Sequence, residues 1–161
     1  MENKWNLDKL KEFYKINQDK YSLPSFESLN EDFQIEKISS LETELILKEI
    51  RVCISNKFFN YLRFLESLIN PANASMFVFA MAKTIADKDK EKLIKLYKQL
   101  SKLEVDFIDL DLEYSEKKEA EAIKEYYRLW QEIKKDIFEI VEIIKKNWDN
   151  KVEDNGKGYY G

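Results

Sequence analysis

The sequence predicts an all-α protein, an antiparallel helical bundle with three long helices plus shorter N-terminal and central helices. Two observations are series of large apolar residues spaced three and four apart, the mark of a helix with one buried side. The first series is Leu93, Leu96, Leu100, Leu103, Phe107, Leu110 and Tyr114, and the second is Ile123, Tyr126, Trp130, Ile133, Ile137, Ile140 and Ile144. The third observation is that all three glycines lie in the last six residues. Sheet proteins use many glycine turns, so this composition favours helices.

The two apolar series predict a helical hairpin. The step from Tyr114 to Ile123 fits neither series, so we expect the chain to turn near Ser115, between long helices at 88–113 and 116–148. Apolar residues also alternate with acids over 105–112, which leaves a strand as the alternative there. Aspartate is a poor strand former, and the helical spacing continues through this segment, so we favour helix.

The third long helix is predicted at 40–69. Ser39 followed by Glu42 resembles a capping box at its start, and the Asn70–Pro71 dipeptide disfavours helix at its end. Its seam is Leu47, Ile50, Ile54, Phe58, Tyr61, Leu65 and Leu68. Beyond residue 57 the helix is apolar nearly all round, which indicates burial on several sides or an interface between subunits. The candidate apolar interface is Phe58, Phe59 and Phe64.

The remaining segments are shorter. We expect a helix within residues 1–20 capped by Asn6, an apolar irregular linker at 21–40 packed on the core, and a short helix through Thr84 capped by Asn73 or Ser75. A buried strand at 76–82 is the alternative for so short an apolar run. The predicted domain organisation is a single helical domain at 1–148 followed by a disordered polar tail at 149–161.

The composition excludes several kinds of catalytic site. The chain has no histidine, one cysteine and no glycine before position 156. These absences remove the usual general base, a four-cysteine zinc site and the glycine-rich phosphate and dinucleotide loops. We predict no catalytic residue, no metal site and no cofactor, and we interpret Cys53 as a small buried hydrophobe. Enzymatic activity is therefore not expected.

Charge is unevenly distributed along the predicted hairpin. Residues 102–122 carry eight acids against three lysines, a net charge of -5 in a chain of net charge -4. The alternatives for this end are a solvated tip, a docking surface for a basic partner or a Mg²⁺ or Ca²⁺ site. The candidate acidic docking surface is Asp106, Asp109, Asp111, Glu113 and Glu116. A candidate basic face is Lys88, Lys92, Lys95 and Lys102.

The sequence favours a non-enzymatic helical interaction or adaptor protein that self-associates, with a protein partner or a homo-oligomer expected. A nucleic-acid-associated protein is the alternative, but the chain has only three arginines, the residue that phosphate recognition prefers. A carboxylate metal-dependent enzyme is the second alternative. The chain begins with no secretory signal and carries no apolar run of membrane-spanning length, so we expect a cytoplasmic protein without membrane contact. No motif indicates a small-molecule ligand.

Overall fold

The computed structural model describes residues 6–41 and 43–157, with side chains up to residue 150. These residues form six α-helices, two 3-10 helices and no β-strand. The α-helices are α1 (Leu7–Tyr21), α2 (Phe26–Phe33), α3 (Ile46–Ile69), α4 (Met76–Thr84), α5 (Asp87–Leu112) and α6 (Glu116–Lys157). The 3-10 helices are Ile35–Ser40 and Pro71–Asn73. The all-α helical bundle is confirmed, and both segments with a strand alternative are helical.

The residues at the helix ends explain several boundaries. The side chains of Asn6 and Ser75 accept hydrogen bonds from backbone N–H groups in the first turns of α1 and α4. The Asn6 cap is confirmed, and of the two candidates for α4 the cap is Ser75. Ser22 and Gln34 end α1 and α2 in the left-handed region, with φ of 54° and 55°. Glycine usually occupies such positions, but this chain has none before residue 156, so polar residues take them.

The predicted start of α3 is wrong. The helix begins at Ile46, six residues later than expected, and a 3-10 helix precedes it. The hydroxyl of Ser39 donates to the carbonyl of Glu36 at 2.7 Å instead of capping α3. Such local hydrogen bonds compete with helix capping. Glu42, the other member of the predicted capping box, lies outside the described residues.

The linker predicted at 21–40 is helical rather than irregular, since it contains α2 and the first 3-10 helix. Its apolar residues are buried as predicted; Leu29 and Ile35, for example, are fully covered. At the other end of the chain, α6 continues to Lys157, where we expected a disordered tail from residue 149. The last proline is Pro71, and glycine appears only at 156, so no strong helix breaker precedes that point. Residues 158–161 lie outside the described part.

Contacts divide the chain into two compact units. Unit 1 comprises Met1–Phe59 and Glu104–Trp130, and unit 2 comprises Asn60–Leu103 and Gln131–Gly161. The expectation of a single domain stays a prediction.

The core of unit 1 contains an aromatic cluster built from the three long helices and α2. Phe107 and Tyr126 have ring centroids 4.7 Å apart, and Phe58 meets Trp130 edge-on at 5.7 Å. Phe33 of α2 reaches the same tryptophan at 5.8 Å. Arg51 contacts Asp111 and Glu119, whereas Phe58, further along α3, contacts Phe107 and Tyr126. Within this unit α5 therefore runs antiparallel to α3 and α6, and α3 and α6 run parallel.

The core of unit 2 is aliphatic. Its buried residues include Leu65, Leu68, Leu93, Leu96, Leu100, Ile133, Ile137, Ile140 and Ile144. Two contacts hold α4 against α6: the side-chain amide of Asn147 donates to the carbonyl of Thr84 at 2.9 Å, and the rings of Phe77 and Trp148 meet at 5.1 Å.

Candidate interaction surfaces

A buried ionic network connects the three long helices of unit 1. The Arg51 guanidinium on α3 donates to the Glu119 carboxylate on α6 through Nε at 2.8 Å and through Nη2 at 3.1 Å. The same Nη2 donates to Oδ1 of Asp111, near the end of α5, at 2.7 Å. The side chains of Arg51 and Glu119 are each 1% exposed, whereas that of Asp111 is 57% exposed. The network therefore begins in the core and ends at the surface.

The two carboxylates keep Arg51 charged despite its burial. Desolvation lowers the pKa of the guanidinium, but the hydrogen bonds that it donates to Glu119 and Asp111 outweigh this effect, so the pKa of Arg51 is raised. Two-point contact with a carboxylate suits the planar guanidinium. Through these three hydrogen bonds the network links α3, α5 and α6 within unit 1.

Sequence reasoning missed this network. Two weak signals were present: Arg51 directly follows Ile50 of the α3 seam, and Glu119 stands beside Ala120, whose small side chain permits close approach. We instead assigned Asp111 to an acidic docking surface. The structure shows that Asp111 pairs with the core arginine while remaining accessible.

Two other acids of the predicted docking surface also have basic neighbours. Glu116 accepts hydrogen bonds from Lys20 at 2.7 Å and from the Tyr21 hydroxyl at 2.6 Å, and these bonds lower the pKa of Glu116. Glu113 lies 3.4 Å from Lys118 across the turn between α5 and α6. These pairs are exposed, and exposed pairs contribute little to stability.

Asp106 and Asp109 complete the predicted acidic set. They line an open groove of about 340 Å³ together with Lys118, Glu121 and Glu125. Among the residues that the structure describes, no three His, Cys, Asp or Glu side chains are grouped so that they could hold a metal ion. The geometry therefore gives no support to the Mg²⁺ or Ca²⁺ alternative.

The predicted basic face is interrupted by acids. Lys92 is half-buried and pairs with Glu139 and, at 3.7 Å, with Asp136. The hydrogen bond to Glu139 raises the pKa of Lys92 above its ordinary value. Lys95 lines a groove of about 290 Å³ with Glu132 as well as Asp136. Lys88, Lys95 and Lys102 are exposed. A polyanion approaching this groove would meet carboxylates as well as lysines, which does not favour the nucleic-acid alternative.

Cys53 has the character of a structural residue. It is half-buried, and burial, followed by the nearby Glu49 carboxylate, raises the pKa of the thiol above its ordinary value. The thiolate is the reactive form, and these surroundings disfavour it.

The predicted apolar interface is largely covered. Phe58 is 1% exposed and lies in the aromatic core, so it is not available to a partner. Phe59 is half-buried and packs edge-on against Phe107 at 5.5 Å, and Phe64 is half-buried as well. The all-round apolar pattern of α3 thus reflects burial within the chain more than an open surface.

Two other apolar surfaces are open. The first, the α4 patch, consists of Met76, Phe77 and Phe79, which are 90%, 58% and 41% exposed. The second, the α5 stripe, consists of Val105, Ile108 and Leu112, which are 65%, 55% and 80% exposed. Both surfaces lie in segments for which the sequence also allows a strand. These segments carry more apolar residues than the one buried side of a helix needs.

None of the described helices is long and apolar enough to cross a membrane. Comparisons with protein-family models, curated proteins and solved structures found no match to this chain.

Proposed function

We propose that this chain is a non-enzymatic interaction protein that self-associates through the α4 patch. The observation that carries the proposal is the exposure of Met76, Phe77 and Phe79 on one short helix. Scattered single apolar residues are normal on a protein surface, whereas adjoining large ones mark contact sites. Aromatic residues and methionine are also the types enriched at protein interfaces.

The α4 patch is held outward by specific contacts. Ser75 Oγ accepts a hydrogen bond from the backbone N–H of Val78 at 3.3 Å, which begins the helix. The bond from Asn147 to the Thr84 carbonyl holds its other end. The Phe77 ring packs against Trp148 with centroids 5.1 Å apart, and Phe77 remains 58% exposed. The patch is thus a positioned surface, ready to bind without prior rearrangement.

A second copy of the chain is the partner that suits this surface. The run from Ser67 to Ala82 contains no charged residue, so two α4 patches can meet without like-charge repulsion. Interfaces of this kind are closed by a two-fold axis, with the same patch on both subunits. A strongly charged partner would find no complementary charge within this run.

The size of the patch sets the expected affinity. Aromatic side chains carry about 150–250 Å² each, and if Met76 is counted at a similar size, the exposed parts of the three residues offer on the order of 400 Å² per copy. A standard stable interface buries about 800 Å² per partner. We therefore expect reversible, concentration-dependent association in the micromolar range.

Sedimentation equilibrium and light scattering test the proposal. The wild-type chain should pass from monomer to dimer over micromolar to several hundred micromolar concentrations, and Met76→Glu should weaken this association at least tenfold. Met76 is the variant position because its side chain is 90% exposed, so the substitution does not alter the core. The matched control is Ile16→Glu on α1, where the side chain is 65% exposed outside the patch. A wild-type chain that stays monomeric throughout, or equal weakening by both variants, overturns the proposal.

A further inference from the structure

The end of α5 is apolar on two opposite sides. Its core side carries Phe107, which is 2% exposed in the core of unit 1. Its outer side carries the α5 stripe. Val105, Ile108 and Leu112 follow one another at i, i+3 and i+7, so they lie along one line of the helix over about 10 Å. Within unit 1 the buried residue of α5 is Phe107, which lies on the core side, so the α5 stripe is not part of that core.

Carboxylates border the α5 stripe on both sides. Glu104 stands four residues before Ile108, and Asp109 stands four residues after Val105, so at about 100° per residue they fall on opposite edges of the stripe. Both acids are exposed. The edges are extended by Asp111, seven residues after Glu104, and by Glu113, four residues after Asp109.

The helix end adds further negative character. The last carbonyl groups of a helix have no partner within it, and the macrodipole places partial negative charge there. Leu112 is the last residue of α5, so the stripe runs into this terminus. Acids at such a position are unfavourable for the isolated helix, while cations brought by a partner are favourable.

The geometry points to a docking site for a basic amphipathic helix on the α5 stripe. Such a partner would place two turns of aliphatic residues on Val105, Ile108 and Leu112, and lysines or arginines on its flanks would lie beside Glu104 and Asp109. This is the helix-to-helix mode of peptide recognition, with apolar anchors for affinity and flanking charges for orientation. It is separate from self-association through the α4 patch and does not depend on it.

A second copy of this chain fits the stripe less well. Two α5 stripes placed face to face would oppose Glu104 and Asp109 with like charges. The chain's own lysine-rich segment, residues 83–102, has a net charge of +4. Ile94 is the only large hydrophobic residue of this segment that is exposed. A helix with one exposed aliphatic residue would leave most of the three-residue α5 stripe uncovered. A foreign basic helix therefore remains the better occupant.

A synthetic peptide provides the test. The probe is a fluorescent leucine–lysine peptide of about 18 residues, long enough for five helical turns, with leucines at i, i+3, i+4 and i+7. Its matched control is a peptide of the same composition in scrambled order. Binding to the full chain is measured by fluorescence anisotropy at low and at physiological salt, because contacts between charges weaken as salt rises.

We expect micromolar binding of the patterned peptide, and a loss of at least tenfold with Ile108→Glu. Ile16→Glu, on an aliphatic residue of the same unit that is 65% exposed against 55% for Ile108, should bind as the wild type does. The charge-neutral variant Glu104→Gln with Asp109→Asn should lose affinity mainly at low salt. Equal binding of the scrambled peptide, or unchanged binding by Ile108→Glu, overturns the inference. If Ile108→Glu abolishes self-association in light scattering, a second copy is the occupant, which also overturns it.

Discussion

Replacing Arg51 by methionine should destabilise the chain strongly, because it leaves the buried Glu119 carboxylate without its guanidinium. The Glu119 side chain is 1% exposed, so water cannot replace the two lost hydrogen bonds. Removing one partner of a buried ion pair costs about 3–5 kcal/mol. Total stability of a domain is about 5–15 kcal/mol, so a single substitution would remove a large part of it.

The double variant Arg51→Met with Glu119→Leu provides the decisive comparison. Burying the pair required desolvating both charges, and apolar residues of similar volume escape that cost. Such replacements are often neutral or stabilising by about 1–4 kcal/mol. We therefore expect the double variant to recover most of the stability that Arg51→Met loses. Asp111→Asn should cost no more than about 1 kcal/mol, because its carboxylate is largely solvated.

Urea unfolding followed by circular dichroism at the helix band measures these differences as free energies of unfolding. The denaturant slope should stay constant if the folded states are equally compact. A loss below about 1 kcal/mol for Arg51→Met would refute the reasoning, since that is the range of exposed pairs. A double variant as unstable as the single one would refute it as well, because the cost would then lie in packing and not in the unpaired charge.

Three further predictions concern single positions and one pair. Burial, with a smaller effect of Asp106, raises the pKa of Tyr126 from 10.0 to about 12. The folded state therefore holds this proton more tightly than the unfolded state does. The free energy of unfolding is retained below pH 10 and falls as the pH rises toward 12, by at most about 1.4 kcal/mol per pH unit. Urea unfolding at pH 8 and pH 11 should show a smaller loss of this free energy at the higher pH for Tyr126→Phe than for the wild type. Asp109→Asn with Glu113→Gln should leave the melting temperature unchanged or slightly raised, since these acids lie at the unfavourable end of α5; a clear fall would show that they stabilise the fold. Gln34→Gly should raise the free energy of unfolding by about 0.5–1 kcal/mol, because glycine adopts the left-handed conformation without a steric penalty; a loss would mean that the glutamine side chain stabilises the turn.

Helical seams could be predicted because they depend on neighbours along the chain. All seven residues of the α6 series are buried, from Ile123 to Ile144. The α5 series is buried up to Phe107, but Tyr114 at its end is 44% exposed, since α5 has already ended at Leu112. Periodicity predicts which side of a helix faces the core, but it does not predict the residue at which the helix ends.

The ionic network could not be predicted because its members are far apart in sequence. Arg51 is separated from Asp111 by 60 positions and from Glu119 by 68. Only the alignment of three helices brings them within hydrogen-bonding distance. The same limit applies to the open surfaces: spacing shows that α5 has apolar residues on two sides, but which side stays uncovered depends on how many helices pack around it.

Asp111 connects the stability of unit 1 to the surface where we infer docking. Its carboxylate holds the core guanidinium of Arg51 at 2.7 Å and is still 57% exposed at one edge of the α5 stripe. A lysine or arginine brought there by a partner would share this carboxylate with Arg51, while the Glu119 contact keeps the arginine in place. The fixed network thus presents the stripe and its acidic edges in one geometry before a partner arrives, and preorganisation of this kind lowers the entropic cost of binding.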